Sequence, residues 1–247
     1  MKTSNKLLSV IIFILFIVNT NAQESAINIL SKMDNTILAV KDKVADIEME
    51  MVNLNNGKGN VKKAFMMQKG ATKKIFRYTY PESDKGIATL TLPGEVYLYL
   101  PMFKKPKKIT NMAQGNAFNK TDFSLSEATL IPYSKNFTAS MVEAGELTYV
   151  LDLNPKHEIE EYSRLIVTVN KKHFYPEKIE FFDKKSKKVK EAVYKYKKIN
   201  NYWLADVVTM TNLKKNHKTT IKMSNVKINQ GLKDEDFTVE KLTPAKK

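Results

Sequence analysis

The sequence predicts a mainly β protein with helices, of the α+β class, built on an antiparallel sheet. An amphipathic segment near the N-terminus has helical spacing, and about 10 or 11 short β-like runs follow it. Few helix-sized segments separate these runs, which favours antiparallel over parallel pairing. A sheet of this size must curl or close to protect its edges, so we expect a strongly curved, unclosed barrel covered by the N-terminal helix and a loop or helix lid.

The first 22 residues have the features of a secretory signal peptide. Lys2 and Lys6 precede an apolar run at residues 7–18, and small and polar residues lead to a cleavage site after about Ala22. A membrane-spanning helix needs about 20 apolar residues, so a cleaved signal is favoured over an anchor. The sequence therefore predicts that the chain is exported.

The remainder, residues 23–247, is predicted to be a single domain. The chain has 247 residues, 43 % of them hydrophobic, which is enough for one sizeable core. There is no internal repeat and no linker-like stretch, and only the lysine-rich tail at 243–247 is expected to fray.

The first predicted element is a helix at residues 25–40. Its apolar residues recur at spacings of three and four, which places them on one face: Ala26, Leu30, Met33, Ile37 and Val40. The pattern lasts barely two heptads, so we expect this helix to cover a core and not to form a partner-binding zipper.

After the helix the period of the pattern changes to two. Residues 46–51 alternate acidic with apolar side chains, as in a half-buried strand, and residues 55–60 form a hairpin turn. The remaining predicted strands are 61–69, 74–80, 87–92, 95–100, 146–153, 163–170, 178–183, 190–199, 202–211 and 219–228.

The alternation also predicts which residues face inward, where they either line a ligand cavity or simply fill a core. The candidates for contact with a ligand are Ile47, Met49, Met51, Val96, Leu98, Leu100, Tyr149, Leu151 and Val167. Leu147, Leu165 and Val169 are further predicted inward positions. Eleven methionines favour an adaptable pocket, because thioethers repack around varied ligands.

The charge balance is strongly basic but poor in arginine. The net charge is +15, and Arg77 and Arg164 are the only arginines among 41 basic residues. Proteins that read bases or clamp phosphates favour the planar guanidinium, whereas lysine suits solvated faces. We therefore expect solubility or loose attraction to anionic lipid headgroups, and no nucleic-acid partner.

Three groups of basic residues are candidates for such contacts. The clusters at residues 104–108 and 184–188 are either solvated turns or a cationic rim that attracts anionic headgroups. Arg77 lies in an otherwise aromatic strand and is the best single candidate for a headgroup contact or for holding a lid closed.

The sequence offers little for catalysis, metals or cofactors, and we predict none of them. It has no cysteine and three histidines, and it lacks the nucleophile elbow, the zinc-binding helix motif and the phosphate-binding glycine loop. Asp122 is the best candidate for a hydrolase acting on envelope polymers, although a turn or helix cap is the more ordinary role for this residue.

Several blocks of the chain, in order, resemble those of the bacterial outer-membrane lipoprotein-sorting proteins of the LolA-like superfamily. The resemblance covers about residues 45–242. The blocks are YLYLP at 97–101, KKI at 107–109, FNKTDFS at 118–124, PEKIEFFD at 176–183, Trp203, MTN at 210–212, TT at 219–220 and LKDEDFT at 232–238. Lys120, Thr121 and Ala205 depart from the residues usual in that family.

The resemblance implies an incomplete, strongly curved β-barrel, with helices over its mouth and an apolar cavity that takes acyl chains. The implied function is a periplasmic, non-enzymatic carrier that moves lipid or lipoprotein acyl chains across the cell envelope. Its partners would be an inner-membrane transporter and an outer-membrane acceptor, with transient contact to the membrane surface. The alternative is an accessory or structural subunit of an envelope export complex, whose core is filled by its own side chains.

Overall fold

A computed structural model describes residues 24–109, 121–124, 127, 132–157 and 162–243. The predicted signal peptide and the end of the predicted frayed tail, residues 244–247, lie outside the described residues. Within those ranges, no helix has both the length and the apolar character needed to cross a membrane.

The described residues form two α-helices and 13 strands. Helix α1 spans Ala26–Ile37 and α2 spans Tyr133–Asn136. In chain order, β1 to β13 are Asp42–Asn53, Gly59–Lys69, Lys73–Tyr80, Ala88–Leu92, Glu95–Tyr99, Lys107–Ile109, Phe137–Ala144, Thr148–Pro155, Arg164–Asn170, Pro176–Phe182, Lys188–Ile199, Tyr202–Asn212 and His217–Ile228.

All 13 strands belong to one antiparallel sheet with the order β6-β5-β4-β3-β2-β1-β13-β12-β11-β10-β9-β8-β7. The two end strands, β6 and β7, do not pair with each other, so the sheet is not closed into a barrel. The predicted mainly β, antiparallel and unclosed architecture is therefore confirmed. The first and last strands of the chain, β1 and β13, pair near its middle.

The predicted count of about 10 or 11 strands is too low, because it omits both edge strands. Strand β6 has three residues and overlaps the end of the first basic cluster. Strand β7 is mostly exposed beyond Phe137 and lies between residues 100 and 146, where no strand is predicted. Edge strands are commonly short or polar, which leaves them little of the apolar alternation that identifies a strand.

The predicted helix is confirmed, with a later start and an earlier end than expected. Ser25 caps it, since its side chain accepts a hydrogen bond from the amide of Asn28. Ile29, Leu30 and Met33 are fully buried in the main core against strands of the second half of the sheet. Helix α1 therefore covers a core, as predicted.

A buried carboxylate joins α1 to α2. Asp34, which is 4 % exposed, accepts hydrogen bonds from the amides of Tyr133 and Ser134, both at 2.8 Å. These are amides of the first turn of α2, which have no partner within their own helix. One helix thereby caps the other and fixes Tyr133 in place.

The two faces of the sheet have different coverings. The inner face, defined here as the face against which α1 packs, carries Met49 of β1 and Ile221 of β13, which are neighbours in the register. The outer face of β3 to β5 carries a separate apolar cluster that includes Leu90. Two residues of the C-terminal segment, Phe237 and Leu242, cover this cluster and are themselves buried.

Candidate functional site

The inner face holds a cavity of about 200 Å³. An engineered cavity of about 150 Å³ is enough to bind benzene, so this space can hold a segment of hydrocarbon. Its lining comes from β1 to β3, β10 to β13, the residues that end and follow α1, and the segment around Phe123. The apolar and aromatic lining residues are Ile37, Leu38, Val40, Ile47, Met49, Met66, Phe76, Phe123, Tyr133, Pro176, Tyr194, Tyr196, Trp203, Leu204, Ala205, Val208, Ile221 and Met223.

The alternation of β1 explains part of this lining. Ile47 and Met49 point to the inner face, and Met49 lies opposite Ile221 of β13. Met66 on β2 and Met223 on β13 extend the same wall. Flexible thioethers line the cavity from three neighbouring strands, which suits guests of varied shape.

Two of the nine predicted ligand residues, Ile47 and Met49, line the cavity. Met51 follows on the same strand and is buried in the adjoining cluster. Tyr149, Leu151 and Val167 are buried in the main core, outside the cavity lining.

The remaining three predicted residues are associated with β5 and also lie outside the cavity lining. Val96 is buried, whereas Leu98 and Leu100 are half-buried. The register aligns Leu98 with Thr89, and Thr89 with Phe76 of the cavity wall, so Leu98 shares the inner face.

One further inward position is wrong. Leu147 is 75 % exposed because it precedes the start of β8 at Thr148 and takes no part in the alternation of that strand.

Tyr196 and Trp203 belong to the wall of the cavity, and the rings of Tyr175 and His173 pack against them from outside the lining. The rings of Tyr175 and Tyr196 stack with centroids 4.1 Å apart, and those of His173 and Trp203 lie 4.5 Å apart. Burial raises the pKa of the Tyr196 phenol well above its usual range, and it does the same for Tyr194. These lining phenols therefore stay neutral, and the wall carries no anionic charge from tyrosine.

The segment at 121–124, part of the third block of the resemblance, crosses the inner face and closes one side of the cavity. Asp122 is 3 % exposed, and its Oδ2 lies 2.6 Å from Nδ1 of His217 and accepts a hydrogen bond from the Thr219 hydroxyl at 2.7 Å. The Thr219 hydroxyl in turn accepts a bond from the Asp122 amide at 3.0 Å. These contacts attach the segment to β13.

The next contacts attach the same segment to the second half of the sheet. Ser124 and Glu127 form a reciprocal pair, each side chain accepting from the amide of the other at 3.2 and 2.7 Å. Lys190 of β11 donates to Glu127 at 3.0 Å, and the hydroxyl of Tyr162 is also bonded to this carboxylate.

The hydrolase hypothesis gains no support from this geometry. In a catalytic triad the imidazole lies between the carboxylate and the nucleophile. Here the carboxylate of Asp122 lies between His217 and Thr219, an order that suits structural attachment. Among the described residues, no group of acidic or histidine side chains is arranged to hold a metal ion.

Arg77 lies on the outer face, opposite the cavity. Its guanidinium donates to the backbone carbonyls of Lys241 and Leu242, at 2.8 and 3.0 Å. The contact therefore holds the C-terminal segment against β3.

The two basic clusters differ in their surroundings. The 184–188 cluster is the turn between β10 and β11: Asp183 accepts the amides of Lys185 and Lys187, and Lys188 pairs with Glu180 and Glu191. The 104–108 cluster instead follows two exposed apolar residues, Met102 and Phe103, which are 79 % and 51 % exposed.

Two lysines, missed by the sequence reasoning, also line the cavity. Lys43 and Lys74 are half-buried, and burial lowers the pKa of Lys43 to about 8. The pKa of Lys74 falls to about 7, mainly through burial and further through the nearby charge of Lys43. The sequence does contain a signal: Lys43 continues the inward alternation of Ile47 and Met49 back towards the start of the strand, and Lys74 shares that of Phe76.

Comparison with known proteins identifies the family and the fold. A family model described as "-like: Uncharacterized protein" matches residues 70–244. The chain belongs to this family. No curated protein matches it.

Three solved structures share the LolA-like fold with this chain. A putative outer membrane lipoprotein-sorting protein domain from Vibrio parahaemolyticus superposes with a TM-score of 0.80 at 22 % identity, over 88 % of this chain and 97 % of that one. A DUF1329 family protein from Desulfovibrio piger gives 0.79 at 19 % identity, over 88 % and 97 %. A LolA superfamily protein from Nitrosomonas europaea gives 0.72 at 18 % identity, over 87 % and 98 %. The resemblance inferred from the sequence is confirmed for the fold.

Proposed function

We propose that this protein is a periplasmic, non-enzymatic carrier, which binds the acyl chains of a lipid or lipoprotein and transfers them across the cell envelope. The observation that carries the proposal is the cavity on the inner face, whose wall is mainly apolar and aromatic. Each buried methylene group contributes about 0.8 kcal/mol, so a hydrocarbon chain is held by area alone, without catalytic groups. Ile47 and Met49 are the predicted ligand residues that contact the chain in this proposal.

The proposal includes a strongly curved sheet and a movable lid. We propose that residues 23–247 form one half-barrel domain that curves around the cavity. Helix α1, its partner α2 and the segment at 121–124 form the lid in this account, with Asp34 and Asp122 as its attachments. Opening of the lid would admit a chain longer than the present cavity can hold.

The shared fold supports the choice of cargo and location. One structure with this fold is described as a putative outer membrane lipoprotein-sorting protein domain. We propose export with cleavage after about Ala22, receipt of cargo from an inner-membrane transporter and delivery to an outer-membrane acceptor. N-terminal sequencing of protein recovered from the periplasm should begin at about Gln23, and an intact Met1 would contradict export by a cleaved signal.

An accessory subunit of an envelope export complex is the alternative, and it predicts a core filled by its own side chains. The unfilled volume among the described residues favours the carrier.

Filling the cavity is the direct experiment. Ala205 lines it and is half-buried, so Ala205→Trp projects an indole into the hydrocarbon site. Ala144→Trp is the matched control, because Ala144 is exposed at the end of edge strand β7. Both variants and the wild type are purified without delipidation, extracted with organic solvent and assayed for lipid by mass spectrometry.

The carrier proposal expects lipid in the wild type and in Ala144→Trp, and a loss of most of it in Ala205→Trp. Absence of lipid from the wild type, combined with failure to bind added fatty acid or alcohol, would overturn the proposal. Equal lipid in all three proteins would place the binding site elsewhere.

We propose that transient contact with the membrane occurs at the tip formed by Met102 and Phe103. These exposed apolar side chains precede a lysine-rich cluster, and Lys107 lies 4.8 Å from the centroid of the Phe103 ring. Apolar side chains that enter the interface, together with lysines that attract anionic headgroups, are typical of peripheral membrane contacts.

Vesicle sedimentation tests this contact. The wild type should bind vesicles that contain phosphatidylglycerol and release them at high salt, because screening weakens the lysine attraction. Met102→Ser with Phe103→Ser should reduce binding, whereas Leu213→Ser, at an exposed apolar residue of another turn, should not. Equal binding by both variants would contradict the assignment.

A further inference from the structure

The cavity has a cationic end. Lys43 of β1 lies opposite Gln68 of β2, and Gln68 lies opposite Lys74 of β3, so the three residues form one cross-strand row on the inner face. All three belong to the cavity lining. Adjacent strands are about 4.8 Å apart, which puts the two lysine stems about 10 Å apart with an amide side chain between them.

The two carboxylates of the same lining accept several hydrogen bonds from other residues. Asp42 accepts the amides of Gln230, Gly231 and Leu232, at 2.6, 3.0 and 3.2 Å. The carboxylate of Glu127 accepts hydrogen bonds from the Lys190 side chain and from the amide of Ser124. Of the carboxylates in the described ranges, none lies within ion-pair distance of Lys43.

Two like charges beside an apolar cavity favour the binding of an anion. Burial penalises each ammonium group, and the charge of Lys43 further disfavours the charged form of Lys74. An anion between the two groups offsets these terms, because each ammonium then gains a charge-assisted hydrogen bond. The long, flexible lysine stems allow both groups to turn towards one headgroup.

We infer that Lys43 and Lys74 bind the anionic headgroup of the cargo, a carboxylate or a phosphate, while its acyl chain occupies the cavity. The inference rests on the proposed carrier function. It adds the chemical class of the ligand, which is an anionic amphiphile whose hydrocarbon chain lies in the cavity. Gln68 lies between the two lysines, and its side-chain amide is fixed by a hydrogen bond to the carbonyl of Gly70.

Paired probes with and without the charge test the inference. Delipidated protein is titrated with dodecanoate and with dodecan-1-ol at pH 7 by calorimetry. The wild type should bind dodecanoate at least about tenfold more tightly, which is about 1.4 kcal/mol. Lys43→Met with Lys74→Met should remove this preference, so that acid and alcohol bind with similar affinity.

Two control variants separate the site from general charge. Lys41 and Lys58 are exposed, so Lys41→Met with Lys58→Met makes the same change in net charge and should retain the preference. Lys43→Arg with Lys74→Arg keeps both charges and should retain most of it. Thermal unfolding of every variant confirms that it is folded.

The outcomes are distinct. Equal affinity of the wild type for acid and alcohol would overturn the headgroup inference and leave the carrier function standing. Loss of the preference in Lys41→Met with Lys58→Met would also overturn it. If neither probe binds, the carrier proposal fails and the inference fails with it. If inorganic phosphate alone competes with dodecanoate at equal concentration, the lysines form a free-anion site and the amphiphile inference is wrong.

Discussion

The attachment between the two helices allows a quantitative test of the fold around the cavity. Asp34→Ala removes two hydrogen bonds of 2.8 Å to a carboxylate that is 4 % exposed. Hydrogen bonds to charged groups contribute about 1.5–3 kcal/mol each, and the two are not fully additive because they share one side chain. We expect a loss of about 3 kcal/mol in the free energy of unfolding, since two half-buried amides of α2 also lose their partner.

Urea unfolding followed by fluorescence measures this loss. The chain has a single tryptophan, Trp203, which lies in the cavity wall and reports on its integrity. Asp34→Asn keeps one acceptor oxygen and should lose about half as much. Glu82→Ala is the surface control, because Glu82 pairs only with the nearby Lys85 among the described residues and should change stability by less than about 0.5 kcal/mol.

A loss below about 1 kcal/mol for Asp34→Ala, at an unchanged dependence on urea, would refute this reasoning. It would mean that the amides of α2 find other partners, and that the cap does not hold Tyr133 in the cavity wall.

Four further predictions follow from other residues of the molecule. Phe237→Ala should lower the free energy of unfolding by about 3 kcal/mol, measured in urea, yet leave dodecanoate affinity unchanged, because this ring is buried on the outer face. Asp122→Ala should cost about 2 kcal/mol by the same assay, and a matching loss in His217→Phe that is not additive with it would identify one shared contact. NMR titration of reductively methylated lysines should find one group near pH 7, assigned to Lys74 by its absence in Lys74→Met, and Lys43→Met should raise its pKa by removing a like charge. Between pH 7 and 10.5 the unfolded chain binds more protons at this lysine than the folded chain, so its contribution makes stability rise with pH, a slope that Lys74→Met should remove.

Most of the fold follows from patterns that are local in the sequence. The alternation at Ile47 and Met49 identifies β1, and the turn after it contains Gly57, whose φ of +70° suits a glycine. Both strands missed by this reasoning lie at the sheet edges, where apolar alternation is weak because one side of the strand has no neighbour. Strand β13 was predicted as a strand, but its pairing with β1 could not be deduced from local patterns, since the two strands are separated by most of the chain.

The candidate site was less predictable than the fold. Alternation assigns a residue to a face of a sheet, and every inner-face residue has the same signature whether it fills a core or lines a cavity. Leu151 and Ile47 therefore look alike in the sequence, although one packs in the main core and the other borders the open space. What distinguishes them is how α1 and the segment at 121–124 cover the sheet, which depends on contacts between distant residues such as Asp122 and Thr219.

The pairing of β1 with β13 has a consequence for how the molecule is assembled. The two strands are joined along most of their length, yet one is made near the start of synthesis and the other near the end. Until the last strand is available, β1 has a long unsatisfied edge in what will be the middle of the sheet, and hydrogen bonds cannot link the two halves. Such distant pairing makes folding slow, because the entropy of closing a long loop is lost before the hydrogen bonds between the strands can form. A chain arranged in this way cannot complete its sheet, or the apolar cavity on the inner face, until its C-terminal strand has been made.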